Sequence, residues 1–449
     1  MKKSTLALAV AFGVMAQQAS AAGFIEDSKA SISSRTLYFN GDNREGPGNR
    51  TEETATGLKF DYLSGFTQGT VGFGLDVQAL VGVHLDGGRG HHATNGGITP
   101  TNNSDNSAVD EWTRLGGNAK ARFSKTELRV GNALAPNLPI LVSNDGRLLP
   151  AAYQGGVVTS KEIDNLTVTA GQLNRSIGRA SSNWTGLSVN GASETSDQFR
   201  FAGADWKVTK DLTLQYYFAN LEDFYDQHFL GAVHVLPLGE DSSFKTDLRY
   251  FNSSSDGKNS SATTGYTYNN GYAKNPGEID NQTWSAMFTY SLGGHAILVG
   301  HQQVSDDGGM VFLNQGGVRN GNNRLEGNGG ASVYLFTDAM IGNFTRAGEN
   351  STFGQYSYDF ARVGVPGLKA AIAYIHAEDI KGVQNTVNEG RRFSEWERDM
   401  RVDYVIQNGP LKGFGTTVRH GSLRSDGGVG TTDDQDQTRV IFNYTYAFK

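Results

Sequence analysis

The chain has 449 residues, 58 of them Gly, with 9 Pro, no Cys, 10% aromatic residues and a formal net charge of −7. Without cysteine there is no disulfide framework and no thiolate chemistry, and the acidic balance argues against nucleic acid as a partner. No G-x-S-x-G, H-E-x-x-H or P-loop pattern occurs in the sequence, so nothing in it marks an enzyme of those types.

Residues 1–21 read as a secretory signal. Lys2 and Lys3 form its basic start, Leu6 to Ala16 an apolar stretch, and Ala19-Ser20-Ala21 a small-residue cleavage site. The apolar stretch is too short to span a bilayer, which disfavours the alternative of a membrane anchor. The rest, 22–449, is expected to be one domain. It holds no apolar run long enough for a transmembrane helix.

What recurs instead is alternation with period two. Strand candidates fall near 29–40, 52–64, 69–85, 112–124, 126–132, 154–162, 165–173, 198–207, 212–220, 228–236, 244–252, 281–291, 295–304, 353–362, 368–378, 395–406, 414–424 and 437–448. The clearest apolar faces are Val71/Phe73/Leu75/Val77, Leu212/Leu214/Tyr216/Phe218, Trp284/Ala286/Phe288/Tyr290 and Met400/Val402/Tyr404/Ile406. The last strand sets Val440, Phe442, Tyr444, Tyr446 and Phe448 on one face and Arg439, Asn443 and Thr445 on the other. One face suits lipid and the other water. Long connectors rich in Gly, Asn, Ser and Asp (86–110, 174–197, 253–280, 305–352, 379–394, 425–436) alternate with tight turns at 164–165, 208–211, 291–294, 364–367 and 407–413. These features predict an all-β fold: a transmembrane antiparallel β-barrel of about 18 strands.

A barrel of that size leaves an aqueous channel that something must narrow. The stretch Ala133 to Gly155 is unusually apolar for a loop, with Leu134, Leu138, Ile140, Leu141, Val142, Leu148 and Leu149 among three prolines. It is expected to fold into the lumen and present its polar tip, Asn144-Asp145-Gly146-Arg147. The competing reading is a loop that only caps the barrel.

Parity assigns the lumen side chains. Arg122 with Lys120, Arg129, Arg249 with Lys245, Arg401, Arg419 and Arg439 alternate with apolar neighbours and point inward; Arg35, between Ser34 and Thr36, is placed with them. Arginine stays charged at physiological pH and matches a carboxylate with a planar fork. A series of weak sites lets an anion step through without being trapped. The alternative is an inert wall in which, for example, Arg401 is paired with Asp399 or Asp403. His91-His92, in a Gly/Asn-rich loop, reads as a solvated pair rather than a metal site. An outer-membrane barrel enzyme and a plugged adhesive barrel are the other classes this architecture admits.

Five segments carry a family likeness: Gly23-Phe24-Ile25-Glu26-Asp27-Ser28, the run from Ser64 to Gly74, Ser124-Lys125-Thr126, Asp145-Gly146-Arg147-Leu148-Leu149-Pro150 and Gly364-Val365-Pro366-Gly367-Leu368. With these the chain resembles the OprD family of outer-membrane carboxylate channels of pseudomonads. The resemblance implies an 18-stranded barrel in the outer membrane among lipid and lipopolysaccharide. It also implies insertion by the barrel-assembly machinery, a weak homotrimer, and an arginine ladder opposite an acidic loop pocket; it implies no cofactor. One branch of the family prefers basic amino acids, another aromatic or cyclic monocarboxylates such as benzoate and vanillate. Asp145 beside Arg147, and Ala373 in place of a lumen arginine, are similar to the aromatic branch. Arg122, Arg401, Arg419 and Arg439 fall where ladder residues are expected, and Arg147 and Arg179 resemble its constriction residues. Leu148 and Leu149 are expected to offer the ring a surface, with Asp145 accepting from a ring hydroxyl or from Arg147.

Overall fold

The structure is a computed structural model. It describes residues 23–44, 50–87, 91–92, 97–102, 104–105, 107–314, 318–319, 325–326, 330–426 and 434–448. The expected signal segment 1–21 and Lys449 lie outside them.

The wall strands are β1 (Lys29–Asn43), β2 (Arg50–Leu63), β3 (Val71–Asp86), β4 (Glu111–Phe123), β5 (Thr126–Leu134), β6 (Ala152–Ser160), β7 (Leu166–Ile177), β8 (Phe199–Lys207), β9 (Leu212–Leu221), β10 (Tyr225–Gly239), β11 (Ser242–Ser255), β12 (Asp280–Leu292), β13 (His295–Val304), β14 (Asn350–Asp359), β15 (Leu368–Lys381), β16 (Arg392–Val405), β17 (Gly415–Ser425) and β18 (Gln435–Phe448). Each pairs antiparallel with the next, and β1 pairs with β18, so one 18-stranded sheet closes on itself. Every predicted strand forms. Among the described residues no helix is long and apolar enough to cross a membrane.

Alternation decides which face is which. Phe73, Leu128, Leu214, Trp284, Ile297, Met400, Val418 and Phe442 are exposed on the outside, while Asp76, Asn118, Lys120, Asp247, Gln302, Glu397 and Arg439 are buried inside. An exposed apolar band around a polar interior is what a bilayer selects, because lipid solvates the one and a closed sheet satisfies the backbone of the other.

The constriction loop departs from its predicted bounds. β5 continues to Leu134 and β6 begins at Ala152, so the loop proper is 135–151. It leaves the wall where β4–β5 pairing ends, at Asn118 opposite Gly131. A Cβ on Gly131 would collide with the Gly117 carbonyl, so the two backbones approach as closely as they do only because the residue is glycine. The loop then folds inward. Ile140 and Leu141 join Phe199, Phe201, Tyr217 and Phe229 in one cluster. Leu148 and Leu149 pack against Leu37, Ala55, Leu80 and Trp112 of β1 to β4 and against Ile98 of the connector between β3 and β4.

Candidate functional site

The loop tip divides the lumen between two cavities. The first, about 410 Å³, is lined by Arg147, Arg179, Arg419 and Arg439, with Asn144, Phe312, Asp338, Met340 and Ile341. The second, about 330 Å³, is lined by Arg35, Lys59, Asp145, Asn443 and the flank of the loop.

Register aligns part of the first. Arg401 lies directly opposite Arg419, and Arg419 directly opposite Arg439. Like charges set opposite one another destabilise a sheet; Asp403 offsets this for Arg401. Strands of such barrels tilt by about 40° and lie about 4.8 Å apart, so a row perpendicular to them climbs the pore by roughly 3 Å per strand.

The donors differ in how far they are engaged. Arg439 is 4% exposed, donates through Nη2 to the Met340 carbonyl (2.5 Å) and to Gln437 (2.7 Å), and its Nε is buried without a partner. Arg147 lies over the Phe39 ring at 4.8 Å, with Nη1 donating to the Gly146 carbonyl (3.2 Å). Arg179 donates to Asn144 Oδ1 (3.2 Å). The Nε groups of Arg147 and Arg179 are also buried and unpartnered. Arg419 has no hydrogen bond or ion pair among the described residues. Burial pushes Arg179 down to about 10, and burial with the charges of Arg439, Arg179 and Arg419 lowers Arg147. Burial raises Asp338 to about 6 against the hydrogen bond from the Val333 amide and the charges of Arg179 and Arg439.

The other predicted residues are placed elsewhere. Arg35 grips the loop: it forks onto Asp145 (2.7 and 3.1 Å) and donates to the Arg147 carbonyl (2.7 Å) and Asn443 (3.2 Å). Asp145 therefore pairs with Arg35 and not with Arg147, because the two tip side chains leave opposite sides of the loop. Leu148 and Leu149 are each 2% exposed, spent on docking, so the apolar surface of the first cavity comes from Phe312, Met340 and Ile341 instead. Arg401 is forked onto Asp403 (2.6 and 2.8 Å). Near the short-turn end, Arg122 lies over the Phe66 ring at 4.1 Å. Arg129 is shared between Glu127 and Asp76, beside a buried Lys120–Asp76 pair at 2.6 Å. Arg249 is held by Asp247 (2.9 and 3.0 Å). His92 is not solvated; it is buried against Glu53 and bonded to Thr101 (2.8 Å). Among the described residues no group of His, Cys, Asp and Glu is arranged to hold a metal.

The segment 331–349 was hidden in a connector of loop composition. It folds inward, held by Glu397 on the amides of Ile341 (2.8 Å) and Gly342 (2.7 Å) and by Asp399 on that of Met340 (3.0 Å). Those bonds aim the Met340 carbonyl at Arg439. The available signal was the run Val333-Tyr334-Leu335-Phe336, too apolar for a solvated loop.

A sequence model described as outer membrane porin, OprD family, matches residues 22–448. Porin D of Pseudomonas aeruginosa is 33% identical, over 99% of this chain and 98% of its own. Among solved structures, Pseudomonas aeruginosa OccK8 (OprE) is 43% identical with a TM-score of 0.83, covering 95% of this chain and all of that one (100%). Pseudomonas aeruginosa OpdK, solved with vanillate, is 31% identical with a TM-score of 0.80 over the same shares, 95% and 100%.

Proposed function

The chain belongs to the OprD family of outer membrane porins, and on that premise we propose that it is a passive channel selective for small carboxylates, aromatic monocarboxylates such as benzoate or vanillate above all. The family's members are channels rather than enzymes. The observation that carries the substrate reading is the first cavity: four guanidinium groups face one space, and three of them hold buried Nε–H donors without partners. Buried donors are almost always satisfied, and a planar carboxylate satisfies two at once. Phe312, Met340 and Ile341 give the ring an apolar wall. Among the described residues Asp338 is the one carboxylate lining that space, a weak counter-site for the side chain of a basic amino acid.

Passage then follows from the row of arginines. A carboxylate drawn to Arg147 and Arg179 is handed between Arg439 and Arg419, each site weak enough to release it because the neighbouring cation competes. The second cavity, with Arg35 and Lys59 beside Asp145, is mixed in charge and suits release. The relative solved with vanillate supports the aromatic reading. Uptake of labelled benzoate and labelled arginine into proteoliposomes tests it: benzoate is expected to enter faster, by a modest margin, and faster entry of arginine would place the channel with carriers of basic amino acids.

A further inference from the structure

The outer surface of the wall carries a cation that lipid tails cannot accommodate alone. On β16, Glu397 is buried inside while Met400 and Val402 are 38% and 47% exposed outside. Parity therefore sends Arg398 outward, where it is exposed and has no hydrogen-bond or ion-pair partner among the described residues. Tyr404, on the same face toward the short-turn end, lies six residues away. At 3.3 Å per residue and a tilt of about 40° that is roughly 15 Å along the barrel axis, inside the upper part of an apolar band about 25 Å tall. A charge at that depth is costly unless its long side chain reaches the interface and meets an anion there.

The surroundings fit such an anion. Arg398 lies opposite Tyr374 of β15 and Ser422 of β17. His376 and His420, two residues along those strands, face the same way. His420 Nδ1 is 3.0 Å from the Thr438 hydroxyl; with that hydroxyl donating, the proton sits on Nε2 and points outward. Above, Arg424 stacks on Trp396 at 5.8 Å and is paired with Asp436 at 2.9 Å. Asp436 also receives Arg44 at 3.1 Å, so it is not free to neutralise Arg398. Glu378 is exposed two residues beyond His376, farther up the wall.

We propose that Arg398, with His376 and His420, holds a phosphate of an outer-leaflet lipid headgroup, the bisphosphorylated lipid A of lipopolysaccharide. The guanidinium matches a phosphate with two parallel donors, the imidazoles add directional donors, and Trp396 and Tyr374 set this level at the membrane interface. A free phosphate is disfavoured because the patch opens onto lipid.

Native mass spectrometry of the purified channel with bisphosphorylated and with fully dephosphorylated lipid A tests this. The parent should retain the phosphorylated form about tenfold better. Arg398→Gln should erase that preference and Arg398→Lys keep part of it, with single-channel conductance unchanged in both because the residue faces away from the lumen. Equal retention of the two lipids by the parent, or an undiminished preference in Arg398→Gln, overturns the proposal. So does a change of oligomeric state in Arg398→Gln that is independent of lipid, which would assign the patch to contact between copies. If Arg398→Gln fails to assemble, the two lipids on the parent and the Arg398→Lys channel still decide.

Discussion

Arg419→Ala tests the proposed arginine row at the guanidinium that has no hydrogen bond or ion pair among the described residues. A carboxylate about 4 Å from a guanidinium gains about 1 kcal/mol in bulk water and about 4 kcal/mol at an effective dielectric of 20. The lumen is wet and three other arginines remain, so the loss belongs near the lower end, about 1–2 kcal/mol, or roughly 5- to 30-fold in carboxylate occupancy. Folding should not suffer, because Arg419 faces Arg401 and Arg439 across both of its edges and removing it relieves two like-charge oppositions. The expected result is slower benzoate uptake, a reversal potential under a salt gradient shifted away from anions, and an unfolding temperature equal to or above the parent's. Unchanged uptake and reversal potential would refute the reasoning; lowered stability would show that the row is structural.

Deleting Asn144 to Arg147 removes the tip together with its tie to Arg35, so conductance should rise and discrimination between carboxylates should fall; equal conductance in planar bilayers would place the constriction elsewhere. Acidification acts through Asp338. Its carboxyl, raised by burial from the ordinary 3.8 to about 6, takes up a proton as pH drops from 7 to 5, so anion preference should grow over that window and the Asp338→Asn channel should show no such change. The same shift has a stability sign: the folded chain binds this proton more tightly, so its contribution is full below about 3.8 and is lost as pH rises through about 6. Leu149→Ala empties a contact between the loop and β2, where a Cβ on Gly57 would stand 2.9 Å from Leu149 Cδ2. It should cost about 2–5 kcal/mol of loop docking, seen as frequent conductance fluctuations that the parent lacks.

The barrel was legible in the residues because its two solvents write a period of two. Val440 to Phe448 alternate with Arg439 to Thr445 whatever the neighbours are, and a charge that faces water on one strand can face only the lumen once the sheet closes. Parity alone thus placed Arg401, Arg419 and Arg439 inside, and the prolines and leucines of 135–151 announced a loop that seeks cover. The rest depended on contacts between segments far apart in sequence. Alternation gives a face but not a height or a partner, so it could not tell that Arg401 is taken by Asp403 while Arg419 has no ion-pair partner among the described residues. Nor could it tell that Arg35 forks onto Asp145 at the loop tip. Leu148 and Leu149 were legible as apolar but not as spoken for; their surface went to Leu37, Leu80 and Trp112, and the cavity took its apolar wall from Phe312 and, in a second inward segment, Met340 and Ile341. That segment, 331–349, has the composition of a solvated loop. Only the closed wall supplies the carboxylates of Glu397 and Asp399 that satisfy its amides, and buried amides without such partners would have kept it in water.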